Sequence, residues 1–80
     1  MKNLEERKIS FIGGGIIAGV FIERLIKSGF VFQSNILVSD IKQEWLDELK
    51  NKYCVQVTQN NEEAAKFGDF IFIAVPPPQV

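Results

Sequence analysis

Apolar positions along the chain switch between a strand-like and a helix-like spacing. Residues 8–12, Lys-Ile-Ser-Phe-Ile, carry β-branched and aromatic side chains with little polar alternation, which predicts a strand buried on both faces. Three consecutive glycines, Gly13, Gly14 and Gly15, follow, and a new apolar run starts at once. It predicts a helix from Gly15 or Ile16 to Ser28, with Glu23, Arg24, Lys27 and Ser28 gathered late and Gly29 ending it. Residues 30–35 connect to a short second strand over 36–39. Ile41, Trp45, Leu49 and Tyr53 then recur every four positions, with Leu46 beside them and polar residues between. This predicts an amphipathic helix over 42–52 whose Trp45–Tyr53 stripe is core. Residues 55–58 read as a third strand. Asn60 with Glu63 resembles a capping box opening a short helix over 62–67, closed by Gly68. Residues 70–75, Phe-Ile-Phe-Ile-Ala-Val, lack polar alternation and read as an inner parallel strand, stopped by Pro76, Pro77 and Pro78.

Strands alternating with helices predict an α/β fold. Residues 8–80 are expected to form a Rossmann-like βαβαβαβ domain with a parallel sheet in the order 3-2-1-4, and residues 1–7 a flexible leader. A ligand crevice then lies at the carboxyl ends of strands one and four, where the order reverses. The glycine turn occupies that place. Gly13, Gly15 and Ala18 fit G-x-G-x-x-A: a tight turn out of the strand, a missing Cβ where a pyrophosphate approaches, and a small residue holding helix to sheet. Phosphates would rest on backbone N–H groups at the positive end of the helix dipole. Asp40 ends the second strand about 20 residues further on, where a carboxylate accepts hydrogen bonds from the adenosine ribose. A glycine-rich fold for S-adenosylmethionine usually has an acidic residue before its glycines, and Ser10, Phe11 and Ile12 stand there instead. No Gly-Lys-Ser or Gly-Lys-Thr follows, so the loop is not a nucleotidase P-loop.

Composition narrows the chemistry. Eighty residues make one small domain, 46% hydrophobic, with a net charge of −1, so neither nucleic acid nor a membrane surface is an expected partner. The absence of histidine removes His-based triads, His metal sites and His acid–base catalysis, and no metal is expected. Cys54, the one cysteine, reads as a buried core thiol. The polar start is neither a signal peptide nor a membrane span, and the expected setting is cytoplasmic.

The segments Ile9 to Ala18, Leu25 to Gly29, Asn35 to Asp40, Val57 to Asn61 and Asp69 to Val75 together resemble the N-terminal domain of pyrroline-5-carboxylate reductase, a likeness covering residues 8–80. The resemblance implies that Gly13, Gly14, Gly15, Ile16 and Ile17 wrap the pyrophosphate of NAD or NADP. It puts Asp40 near the adenosine ribose, Asn61 beside the adenine end, and Ala74, Val75 and Pro77 along the nicotinamide half. Three positions depart from the family pattern: Ile16-Ile17 for Asn-Met, Ile41 for an arginine after the second strand, and Pro76 for the lysine of Ala-Val-Lys-Pro. Asp40 without that arginine leans to NAD, while Lys42 is close enough in sequence to accommodate the 2′-phosphate of NADP. Family members continue with more sheet and a helical domain that dimerises and builds the substrate pocket. The expectation is therefore a truncated cofactor-binding domain of an imine-reducing oxidoreductase of proline biosynthesis, inactive alone and self-associating through its fourth strand. Two alternatives stand beside it: a non-catalytic nucleotide-binding or assembly module, and a structural fold whose pocket Ile16 and Ile17 fill.

Overall fold

A computed structural model of the chain describes residues 7–13 and 15–73. The elements run β1 (Ile9–Ile12), α1 (Gly15–Ser28), a 3-10 turn (Gln33–Asn35), β2 (Ile36–Ser39), α2 (Gln43–Tyr53), β3 (Gln56–Thr58), α3 (Asn61–Phe67) and β4 (Phe70–Ile73). All pairings are parallel, as the alternation of strands and helices requires, and the sheet order is β3-β2-β1-β4. Ile9 stands opposite Ile36 on one side and Phe70 on the other.

Because successive strand residues point to opposite faces, β1 serves two layers. Ile9 and Phe11, with Ile36 and Val38 of β2, pack against Ala18 and Ile22 of α1 and Leu46 and Leu49 of α2. Ser10 points the other way, where its buried hydroxyl donates to the Ala64 carbonyl of α3. A Cβ added at Gly68 would lie 2.6 Å from the Ser10 Oγ and 2.8 Å from the Ser10 nitrogen, so only glycine lets α3 return this closely to β1.

The helix ends follow local chemistry. Gly29 takes φ 73°, and the amides of Gly29 and Phe30 reach back to the Ile26 and Leu25 carbonyls in a Schellman closure of α1. Asn60 caps α3 by accepting from the amides of Glu62 (2.9 Å) and Glu63 (3.2 Å). The reciprocal arm of the capping box is replaced, since the Asn60 amide donates to Thr58 Oγ1. Glu23 ties α1 to α2 by accepting from Lys27 Nζ at 2.8 Å and Tyr53 Oη at 3.2 Å. The Lys27 hydrogen bond and charge hold the Glu23 carboxyl below the usual carboxylate range.

Two expectations are corrected. Cys54 is exposed, because it is the C-cap of α2 in the left-handed conformation (φ 60°), which turns its side chain away from the core. The apolar seam of α2 is Leu46 and Leu49; Trp45 and Tyr53 flank it half-buried, and Ile41 is 83% exposed. Ile41 falls outside the periodicity because α2 starts only at Gln43. As the expected order 3-2-1-4 implies, β4 stands at the edge of the sheet although its composition suits an inner strand, with Ile73 71% exposed. Its Phe72 ring stacks on Phe11 (5.3 Å between centroids) and on Phe21 (6.2 Å).

The left-handed residue at position 54 carries a side chain where glycine is the relaxed choice. Cys54→Gly is expected to stabilise the chain by about 0.5–1 kcal/mol, after offsetting glycine's larger unfolded-state entropy. Urea denaturation checks this, and a lower midpoint in the variant would contradict it.

Candidate functional site

The end of β1 determines where the site forms. One residue past the strand, the Gly13 amide donates to the Ser39 carbonyl at 2.7 Å, extending the β1–β2 ladder into the turn. Gly13 has φ 102° and Gly15 has φ 91°, backbone that an L side chain adopts only under strain. Among the described residues, a Cβ built on Gly15 meets nothing within 4 Å, so they leave the turn open rather than packed. Gly14 lies outside the described residues.

Gly15 opens α1, whose first-turn amides have no partner within the helix. Ile16 (77% exposed) and Ile17 (66%) stand out from this end, so they do not fill the turn. Ala18 is fully buried against the sheet, the position for a small residue that the motif assigns to it. A shallow groove of about 200 Å³ runs from Gly15 and Ile16 between α1 and α2, walled by Trp45 and Tyr53.

Asp40 follows β2 directly, its amide donating to the Thr58 carbonyl of β3 at 3.2 Å. Its carboxylate accepts from the Lys42 amide at 2.9 Å, shaping the turn into α2. The Gln59 side chain holds the same turn through the Ile41 carbonyl at 3.2 Å. Asn61 is the first residue of α3, and its Oδ1 accepts from the Ser39 hydroxyl at 2.7 Å.

Gly13, Asp40 and Asn61 are thus gathered around one residue. Ser39 binds Gly13 by its carbonyl, precedes Asp40 in the chain and holds Asn61 by its side chain. Sequence reasoning did not single it out; the available signal was one polar residue at the end of the apolar run Ile-Leu-Val-Ser. Ala74, Val75 and Pro77 lie outside the described residues, which end at Ile73, the register partner of Ile12. Among the described residues, no group of three or more Cys, Asp or Glu is placed to hold a metal, and no helix is long and apolar enough to cross a membrane.

The arrangement has counterparts in known proteins. Residues 8–80 match the family model described as NADP oxidoreductase, coenzyme F420-dependent. The chain is 32% identical over 74 residues to a pyrroline-5-carboxylate reductase of Methanosarcina acetivorans, covering 92% of this chain and 27% of that protein. It is 41% identical over 76 residues to pyrroline-5-carboxylate reductase 3 of Danio rerio, covering 91% and 26%. The solved structure of a pyrroline-5-carboxylate reductase from Coxiella burnetii superimposes with a TM-score of 0.80 at 34% identity, covering 91% of this chain and 26% of that one. The chain therefore spans about a quarter of the length of these relatives. With the Rossmann-like sheet order and the glycine turn, these matches show that the chain belongs to the NADP oxidoreductase, coenzyme F420-dependent family, as an N-terminal domain of the pyrroline-5-carboxylate reductase kind.

Proposed function

We propose that the chain binds a nicotinamide dinucleotide at the carboxyl end of its sheet, as the cofactor domain of a pyrroline-5-carboxylate reductase-like oxidoreductase. The observation that carries this reading is the turn itself: two glycines at positive φ, open space where a Cβ would stand, and Asp40 one residue beyond the bond that pins Gly13. A pyrophosphate fits against Gly13 to Ile17, where amides rather than side chains meet it and the dipole of α1 favours negative charge. Asp40 accepts from the adenosine ribose and Asn61 reaches the adenine end. Ala74, Val75 and Pro77 border the nicotinamide.

The bound cofactor supplies a hydride. In the reaction proposed for the whole protein, hydride goes to the carbon of a C=N bond and a proton to its nitrogen, forming the amine of proline. The chain's own residues bind and orient. The described crevice offers backbone amides, Ile16 and Ile17 and has no acid at the hydride end, because Asp40 lies toward the adenosine. Positioning the imine and excluding water need further walls, so the chain alone is inactive.

Titration of the purified chain with NADH, followed by tryptophan fluorescence from Trp45 or by calorimetry, is expected to show saturable binding. Gly15→Val puts a branched side chain into the phosphate approach and should weaken binding by more than about tenfold. Its positive φ costs about 1–3 kcal/mol of stability, so circular dichroism must show that the variant is folded. Unchanged affinity in a folded variant would remove the turn from the site. NADH oxidation on adding pyrroline-5-carboxylate is expected to be absent; turnover that follows the chain through purification and vanishes in Gly15→Val would refute inactivity.

For cofactor choice, the Asp40 carboxylate repels a 2′-phosphate, and neighbouring Ile41 brings no guanidinium. NADH should bind more tightly than NADPH by roughly fivefold, about 1 kcal/mol of near-surface repulsion. Asp40→Asn should narrow the gap, whereas tighter NADPH binding in the unaltered chain would reverse the assignment.

The exposed edge of β4 is a template for strand pairing, with Phe70, Ile71, Phe72 and Ile73 each more than 40% exposed. We assign a second copy of the chain to it when the 80-residue protein is isolated. Light scattering at tens of micromolar should give a mass above the 9.1 kDa of one chain; a clean monomer would remove the second copy.

A further inference from the structure

We propose that Ser39 is a positioning residue of the cofactor site: its buried hydroxyl fixes the Asn61 amide so that the –NH2 group faces the ligand. This rests on the dinucleotide reading above and adds to it a residue outside the glycine fingerprint.

Ser39 is 0% exposed, at the end of β2 between Ile12 of β1 and Thr58 of β3. Its backbone is held by these neighbours and by the Gly13 amide on its carbonyl. Alternation along β2 sends its side chain to the face that carries α3, where Asn61 Oδ1 lies 2.7 Å from Oγ. A buried hydroxyl must place its one proton on an acceptor, and among the described residues that acceptor is Asn61 Oδ1. Flipping the amide would set N–H donors against Oγ and leave the hydroxyl proton to find another partner. The unflipped amide is therefore the satisfied one.

The consequence is chemical. With Oδ1 occupied, exposed Asn61 offers two N–H donors outward, complementary to acceptors such as the ring nitrogens and ribose oxygens of an adenosine. Asp40 and Asn61 then divide the work, the first accepting hydrogen bonds and the second donating them. The Asp40 carboxylate is held by the Lys42 amide of its own turn, and the Asn61 side chain, which starts a separate helix, needs Ser39 to fix its rotamer.

The experiment compares the full chain with Ser39→Ala, Ser39→Thr, Asn61→Ala and the Ser39→Ala/Asn61→Ala double variant. NADH affinity is measured by calorimetry, and the order of the Asn61 side-chain –NH2 by nitrogen-15 relaxation without ligand. Ser39→Ala and Asn61→Ala should each weaken NADH binding by about three- to tenfold. The double variant should bind no worse than Asn61→Ala, because Ser39 acts only through Asn61. Without ligand, the Asn61 amide should lose order in Ser39→Ala and keep it in Ser39→Thr, which retains the hydroxyl. If Ser39→Ala costs as much in the Asn61→Ala background as in the unaltered chain, Ser39 acts through the strand and the proposal is wrong. An Asn61 amide equally ordered in Ser39→Ala also overturns it. An unaltered chain that binds neither NADH nor NADPH overturns the dinucleotide reading and this role with it. Binding with additive losses overturns only the role of Ser39.

Discussion

The parallel pairing of β1 with β2 is the constraint on which the rest depends. Its register runs from Ile9–Ile36 to Ile12–Ser39, and the Gly13 amide on the Ser39 carbonyl carries it one step beyond the strand. That step fixes the start of the turn, and so the place and direction in which α1 begins. A one-residue slip would invert the faces of β2, moving Ile36 and Val38 out of the α1–α2 core and Ser39 away from Asn61. The hydrophobic core and the candidate site are therefore specified by the same register.

The two faces of β1 explain the asymmetry of the molecule. One face is apolar and is closed by α1 and α2 through Ala18, Ile22, Leu46 and Leu49. The other is closed at shorter range by α3, where Ala64 and Gly68 allow backbone to approach Ser10. The buried serines Ser10 and Ser39 both point to this side, each bonded to α3. Buried hydroxyls with fixed partners orient α3 more specifically than apolar contact would, because a displaced helix would leave both unsatisfied.

Beyond β1 the closure stops among the described residues. β4 pairs on one side only, and its phenylalanines and isoleucines are exposed although their composition suits an interior. The Phe72 ring stacks on Phe11 and Phe21 yet stays 42% exposed. A strand whose composition suits burial meets a surface position here.

Element order, the parallel sheet and the turn chemistry are legible in the amino-acid chain. These depend on local facts: strand-like apolar runs, helical spacing, glycines at positive φ and an asparagine before Glu62 and Glu63. The sequence also placed Asp40 correctly at the end of β2, since that follows from counting along the chain. Tertiary structure decided what depends on distant partners. Cys54 was assigned to the core by residue type, but the left-handed end of α2 exposes it. Trp45 and Tyr53 fit an apolar stripe as well as Leu46 and Leu49 do, and only the packing of α2 against the sheet and α1 decides which pair is buried. Ser39 was ordinary in sequence because its partners Gly13 and Asn61 lie on different elements. Periodicity shows which face of an element is apolar; only packing shows which atoms meet there.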